Sequence, residues 1–227
     1  MNAILPSTPA LHGVRPGGGG RQRAWVGAAL LVAASGPAAA FTATLTAASP
    51  QTIYLQVGVG AFTKDYNDGG QPEDNATVNT VSVTVTSAAL GNGTAQAMTT
   101  NSTAANSYWD GFLYCTVPAQ LYIGGFYRTT GATTAAAQVT ATVPASLTDT
   151  TGDSIPFSKI QWTSSGNLDT GAEPFPAGTF VNGGVQTVGS MASNTWNESC
   201  WTFSYSNSSI PPVGTYTGVV LYTMTSP

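Results

Sequence analysis

The sequence predicts an all-β protein, an antiparallel β-sandwich with about ten strands, and a β-barrel is the alternative. Apolar and polar residues alternate in many short runs, most clearly in residues 80–86, where valine occupies every second position. Each run is bounded by glycine, proline, asparagine, aspartate or serine. No apolar stripe of helical period follows residue 40. The strand-like runs, in chain order, are 41–47, 52–59, 80–86, 111–117, 120–127, 138–143, 155–162, 185–188, 199–205 and 215–225.

The first forty residues differ from the rest of the chain. A basic stretch at 15–23 precedes an apolar run at 24–34, and Ala38-Ala39-Ala40 follows. This order is typical of a secretory signal peptide, and the alternative is a buried alanine-rich helix. The apolar run is shorter than the roughly 20 residues that a membrane span requires.

We therefore expect a cleaved leader over residues 1–40 and a single β-sandwich domain over residues 41–227. Two smaller sandwiches, divided near residues 145–153 or near Asn101, are the alternative. The expected location is outside the cell, on the cell surface or in the periplasm.

The charges and the single histidine of the chain exclude several classes of function. Residues 41–227 contain three lysine or arginine residues and ten acids, which gives a net charge of −7. This balance argues against electrostatic binding of nucleic acid. Because His12 lies in the leader, the mature chain has no histidine for a Ser-His-Asp triad, a general base or a metal site. We expect a protein that is not an enzyme and holds no cofactor or metal.

Cys115 and Cys200 are the only cysteines. Because an exported chain meets an oxidising environment, they are predicted to form one disulfide with Cα atoms about 4.4–6.8 Å apart. Two separate buried thiols are the alternative.

Two aromatic clusters are candidates for glycan binding. Tyr108-Trp109-Asp110 precedes one cysteine, and Trp196 and Glu198 precede the other. Aromatic faces with carboxylates suit sugar binding, whereas tryptophan beside a disulfide is also an ordinary core feature of a sandwich. Whether the clusters meet depends on the direction of the two strands. Asp110 and Glu198 also form a candidate glycosidase pair, which would require a separation of about 5–5.5 Å or 6.5–9.5 Å.

One acidic loop is a weak candidate for calcium binding. Asp65, Asp68, Glu73 and Asp74 offer carboxylate oxygens, the ligands that Ca²⁺ prefers. Their spacing does not fit an EF-hand loop, and a solvated acidic loop is the alternative.

The end of the chain reads as a long terminal strand. Gly214-Thr215-Tyr216 opens it, and apolar residues occupy both of its faces. We expect residues 215–225 to pair inside the main sheet, with neither face wholly exposed to water. The Gly-x-Tyr opening resembles that of late strands in immunoglobulin-like sandwiches, where the tyrosine hydroxyl bonds the backbone. The segment also resembles the terminal strand of secreted bacterial coat and fimbrial-type proteins, such as the spore-coat-U-like group.

These features together predict an exported, non-catalytic, immunoglobulin-like β-sandwich that serves as a structural, surface or adhesive subunit. Its expected partners are other surface proteins or further copies of itself. The alternative is a secreted carbohydrate-binding module, or a glycosidase that uses Asp110 and Glu198. Exposed, coplanar Trp109 and Trp196 rings would favour sugar binding, and buried rings would favour a structural role.

The leader gives the first testable prediction. Export should remove residues 1–40 and leave Phe41 at the mature N-terminus, because the small residues before it suit signal peptidase. Intact-mass analysis of the secreted protein measures this directly. A secreted chain that retains residues 24–34 would contradict it.

Overall fold

The computed structural model describes residues 43–63, 71–131, 133–166 and 171–227. All of them belong to one compact unit, Pro37–Pro227. The predicted leader lies outside the described residues, so its removal and the division at residue 40 stay predictions.

The described residues form β-strands and one short 3-10 turn, Phe157–Lys159, and they contain no α-helix. The prediction of an all-β, antiparallel fold is therefore confirmed. In chain order the strands are β1 (Ala43–Thr44), β2 (Thr52–Val57), β3 (Ala61–Thr63), β4 (Gln71–Glu73), β5 (Val81–Ser82), β6 (Gln96–Ala97), β7 (Thr99–Thr100), β8 (Leu121–Arg128), β9 (Ala137–Val143), β10 (Ser146–Thr148), β11 (Ser154–Pro156), β12 (Ile160–Ser165), β13 (Gly178–Thr179), β14 (Gly184–Met191), β15 (Thr195–Tyr205) and β16 (Leu221–Thr225).

The larger sheet is built around β15, the longest of these strands. Its order is β13-β12-β15-β8-β2, and β1 and β6 also pair with β15. All of these pairings are antiparallel. β15 has neighbours along both edges, and its side chains alternate between two core clusters, with Trp201 and Phe203 in one and Trp196 in another.

A smaller sheet, in the order β14-β9-β16, lies on the inner side of the larger one. One core cluster joins the two sheets, with Ile123, Trp201 and Phe203 from the larger and Val139 and Met191 from the smaller. All five side chains are almost fully buried. A shared core between two sheets is the layer arrangement of a β-sandwich.

The outer face of the larger sheet is also covered. Residues 104–115, named here the covering segment, pack Ala104 and Cys115 against Tyr122 and Cys200 of the sheet. The prediction of a strand over residues 111–117 is wrong: only an isolated bridge between Asn106 and Leu113 forms there. The backbone folds back on itself over the sheet, so it has no neighbouring strand to pair with.

The terminal strand pairs, but in the smaller sheet. β16 lies beside β9, with Leu221 opposite Thr142, and not within the larger sheet as the sequence suggested. Tyr222 packs on the core, whereas Leu221 is 63% exposed and Val219 is 78% exposed. The expectation that neither face is wholly exposed to water is wrong. Leu221, Thr223 and Thr225 lie on one face of β16, and all three are exposed.

The tyrosine that opens this segment bonds the backbone of the turn before it. The Tyr216 hydroxyl donates a hydrogen bond to the Pro212 carbonyl at 2.8 Å. This contact closes the turn before Thr217, which exchanges backbone hydrogen bonds with Thr148 at 2.9 Å. The route of the chain into β16 is therefore fixed by local bonds.

The two faces of β16 should respond differently to truncation. Tyr222→Ala should destabilise the fold by about 2–4 kcal/mol, because its ring centroid lies 5.9 Å from that of Trp201 in the core. Leu221→Ala is the matched control and should change stability by less than about 0.5 kcal/mol, since the side chain is exposed. Urea unfolding of both variants measures the difference. Equal losses would contradict the assignment of the inner face.

Candidate functional site

The predicted site residues of β15 lie on its outer face. Side chains alternate along a strand, so Trp196, Glu198 and Cys200 point away from the core that holds Trp201. β8 is the neighbouring strand, and Gly124 is the residue opposite Glu198. Tyr122 and Phe126 flank Gly124 on the same face, so β8 supplies the walls of the site.

The other predicted cluster lies in a tight turn of the covering segment. The amide of Trp109 donates to the Ser107 hydroxyl oxygen at 3.0 Å, and the amide of Gly111 donates to the Ser107 carbonyl at 3.0 Å. Gly111 has φ +78°, a conformation that glycine adopts without strain. The carboxylate of Asp110 accepts a bond from the amide of Phe112 at 2.9 Å.

The structure brings the two clusters together. The Ser107 hydroxyl donates to Glu198 Oε2 at 3.0 Å. Contrary to expectation, the direction of the two strands does not decide whether the clusters meet. The residues before Cys115 form a turn that folds over β15, and this turn carries Tyr108 and Trp109 back onto the sheet.

The carboxylate of Glu198 is held by three donors from the chain itself. Tyr122 donates its hydroxyl to Oε2 at 2.6 Å, Trp196 donates Nε1–H at 2.9 Å, and Ser107 is the third. Burial raises the pKa of Glu198, although these three hydrogen bonds oppose the rise. The nearby charge of Asp110 raises that pKa further. Glu198 is therefore a partly desolvated carboxylate whose charge, among the described residues, is offset by neutral hydrogen-bond donors.

A glycine makes the shortest of these bonds possible. A Cβ placed on Gly124 would lie 2.6 Å from the Tyr122 hydroxyl oxygen, much closer than van der Waals contact allows. Because Tyr122 is fully buried, its ring has no room to withdraw. The bare backbone of Gly124 is thus the space in which the tyrosine hydroxyl reaches Glu198.

Aromatic rings enclose one side of the carboxylate. Trp196 is 6% exposed, and its ring centroid lies 5.8 Å from that of Phe126 and 6.2 Å from that of Tyr54. Tyr108 and Trp109 are half-buried and pack on this same cluster. The Trp196 ring is therefore a core side chain and not an exposed platform. Asp110 is exposed.

The disulfide that joins the covering segment to the sheet was predicted and is confirmed. Cys115 and Cys200 are bonded, with Cα atoms 5.6 Å apart. The bond is buried beside Tyr122. The Tyr114 hydroxyl adds a bond to the Glu198 carbonyl at 3.0 Å. The covering segment is therefore tied to β15 at both the side chain and the backbone of Glu198.

Sequence reasoning missed the residues that complete the site. Ser107 and Tyr122 donate to the carboxylate, and Tyr114 donates to its backbone. The register that places Gly124 opposite Glu198 is a long-range property, so no local pattern could reveal it. Ser107 did carry a signal, because a serine two residues before a turn amide commonly caps that turn.

The chemistry open to this arrangement is limited. An open depression of about 570 Å³ is lined by the backbone and side chains of residues 103–111. Its accessible groups include Trp109 and Asp110. Oε2 of Glu198 is occupied by three internal donors, so a nucleophilic attack or a proton transfer from that atom would first break them.

Only two of the four candidate calcium ligands lie within the described residues. Asp65 and Asp68 lie outside the described residues, while Glu73 and Asp74 are exposed. Within the described ranges, no group of three histidine, cysteine or acidic side chains is arranged to hold a metal ion. Among the same residues, no helix has the length and apolar character needed to cross a membrane.

Comparison with known protein families, curated proteins and solved structures finds no match to this chain. Function is therefore inferred from the contacts of Glu198 and its neighbours. The hydrogen bonds and burial of each side chain show whether it contacts other parts of this chain or is exposed to solvent.

The raised pKa of Glu198 predicts a specific pH dependence of stability. A carboxyl with a higher pKa in the folded state binds its proton more tightly there, so the free energy of unfolding should fall as pH rises from the ordinary glutamate pKa through the raised one. Glu198→Gln removes this component, because the amide does not titrate. Urea unfolding across this pH window measures it, with exposed Glu73→Gln as the control for charge.

A difference between wild type and Glu198→Gln that stays constant with pH would contradict the assignment. The same holds if the wild type gains stability over this window while the variant does not, because that slope requires a lowered pKa.

Proposed function

We propose that this chain is an exported, non-catalytic β-sandwich of the immunoglobulin-like type that serves as a structural or adhesive surface subunit. One observation carries the proposal. Glu198, the half-buried carboxylate at the centre of the candidate site, accepts hydrogen bonds at Oε2 from Ser107, Tyr122 and Trp196 of the chain itself. A catalytic carboxylate must reach its substrate, whereas this one anchors the covering segment to the sheet.

The other supports concern compartment and surface. The buried disulfide suits an oxidising compartment, which agrees with the predicted leader. Charged residues are rare, 7% of the chain, and the described strands present many threonines to solvent. Neutral hydroxyl groups therefore cover much of the described surface, which suits contact with neutral surfaces or with like subunits.

The surface around Trp109 favours a second candidate function, carbohydrate binding. Trp109 is half-buried, and with the exposed Asp110 it lines the open depression over residues 103–111. An aromatic ring beside a carboxylate is chemistry that would bind a neutral sugar. The alternative proposal is a carbohydrate-binding module with its site at this turn, in which Trp196 and Glu198 support the turn from below.

The proposal is tested by assaying binding and turnover on the same purified chain. The secreted, disulfide-bonded protein is applied to a glycan array and to a panel of chromogenic glycosides. We expect no turnover. We also expect Glu198→Gln and wild type to bind surfaces alike at neutral pH wherever both remain folded.

Trp109→Ala separates the two candidate functions. Saturable glycan binding that this variant loses, and that Phe112→Ala keeps, would favour the carbohydrate-binding module. Phe112 is the matched control, since it is 75% exposed and lies in the same segment. Glycoside turnover that Glu198→Gln abolishes would overturn both candidates and establish an enzyme.

A further inference from the structure

Residues 80–86, named here the valine strand, have the regular alternation of a paired strand but are paired over only part of their length. Their strand pairing with β7 is confined to Val81 opposite Thr100 and Ser82 opposite Thr99. The backbone of residues 83–85 forms no hydrogen bond to the backbone of any described residue. Backbone N–H and C=O groups of an extended chain normally form hydrogen bonds. The backbone groups of this stretch are therefore available to pair with a further strand.

The free edge of the valine strand can be identified from its bonds. The Thr80 carbonyl accepts a bond from the amide of Asn101 at 3.2 Å, so Thr80 faces the β7 side. Backbone groups point to alternate edges of a strand, and those of Val81, Val83 and Val85 therefore point to the opposite edge. No described strand lies beside that edge.

Nothing in the segment protects this edge. The seven residues contain no charged side chain and no proline, which are the usual devices that prevent edge-to-edge pairing. The three valines are half-buried and pack against the main core, while Ser82, Thr84 and Thr86 are exposed. A strand added here would extend both the valine face and the hydroxyl face.

The sequence of the valine strand fits a second copy of itself. Read in either direction it alternates hydroxyl residue and valine, with Val83 at the centre. An antiparallel pair about Val83 would place Val81 opposite Val85 of the second copy and Ser82 opposite Thr84. Valine then meets valine on the inner face, hydroxyl meets hydroxyl on the outer face, and the free edge of each copy receives the other's bonds.

We propose that the valine strands of two copies of this chain pair antiparallel about Val83 and form a two-fold symmetric dimer with a continuous sheet. Such an interface is closed, since the edge that each copy contributes is fully used by the other. The inference rests on the proposed function, because it names self-association as the partner of a structural subunit. Failure of the dimer proposal can be distinguished from failure of the proposed function, because glycan binding and turnover are measured independently of oligomeric state.

Introducing like charges at the exposed positions of the valine strand tests the pairing without altering core residues. In Ser82→Lys/Thr84→Lys, each lysine would face a lysine of the second copy, and like charges directly opposite destabilise a strand pair. Sedimentation of the full mature chain should show a concentration-dependent dimer for wild type and association at least about tenfold weaker for this variant. Ser82→Glu/Thr84→Glu should weaken it likewise, and an equimolar mixture of the two variants should restore the dimer.

A matched control carries the same charges on another exposed strand. Thr223→Lys/Thr225→Lys places two lysines at the same spacing on β16, whose residues at these positions are exposed. This variant should associate as wild type does. Thermal unfolding of every variant confirms that it remains folded, which is expected because the four substituted positions are exposed.

Cross-linking fixes the register. A mixture of Ser82→Cys and Thr84→Cys chains should form an intermolecular disulfide under mild oxidation, because these positions are opposite each other and close in the proposed pair. Thr163→Cys, at an exposed position of β12, is the control and should not cross-link. A wild type that stays monomeric at every concentration reached overturns the proposal. A dimer that the lysine pair at 82 and 84 leaves intact overturns it as well.

Discussion

The carboxylate of Glu198 is the contact on which the outer layer of this protein depends. It lies on the outer face of β15, yet Ser107, Tyr122 and Trp196 all donate to the same oxygen. Ser107 belongs to the covering segment, so this one group joins a turn to a sheet across 91 residues of chain. Hydrogen bonds to a charged group are each worth about 1.5–3 kcal/mol. The disulfide between Cys115 and Cys200 fixes the far end of the same segment.

Alternation of residue types was enough to predict the fold class but not the site. The runs at 52–59, 120–127, 138–143 and 199–205 correspond to β2, β8, β9 and β15. β9 alternates buried and more exposed positions because one of its faces lies in the core, whereas all eight residues of β8 are buried. The run at 111–117 is held over the sheet by the disulfide and the turn at Ser107, where it has no strand beside it. The pairing of Cys115 with Cys200 was predictable because the chain has two cysteines. The pairing of Glu198 with Tyr122 was not, because it depends on Gly124 lying opposite Glu198 in a register set by distant residues.

Some of the predicted site residues pack within the protein, and others are exposed to solvent. Trp196 and Glu198 are used in the protein's own packing, whereas Asp110 is exposed and Trp109, packed on the same cluster, is only half-buried. The valine strand is the opposite case: it pairs with β7 at Val81 and Ser82, but along its other edge its backbone groups have no neighbour among the described strands. The seven residues of the valine strand carry no charge that would oppose edge-to-edge pairing, so this free edge has consequences for assembly. Both features support the proposal that this chain is a structural or adhesive subunit.

The claim that Glu198 anchors the covering segment is tested most directly by a double-mutant cycle. Ser107→Ala, Glu198→Gln and the double variant are compared with wild type by urea unfolding, with the disulfide intact, at a pH well above the raised pKa of Glu198. We predict a coupling free energy of about 1–3 kcal/mol between the two positions, because the 3.0 Å bond joins a hydroxyl to a half-buried, charged carboxylate. Additive effects, with no coupling between Ser107 and Glu198, would contradict the claim.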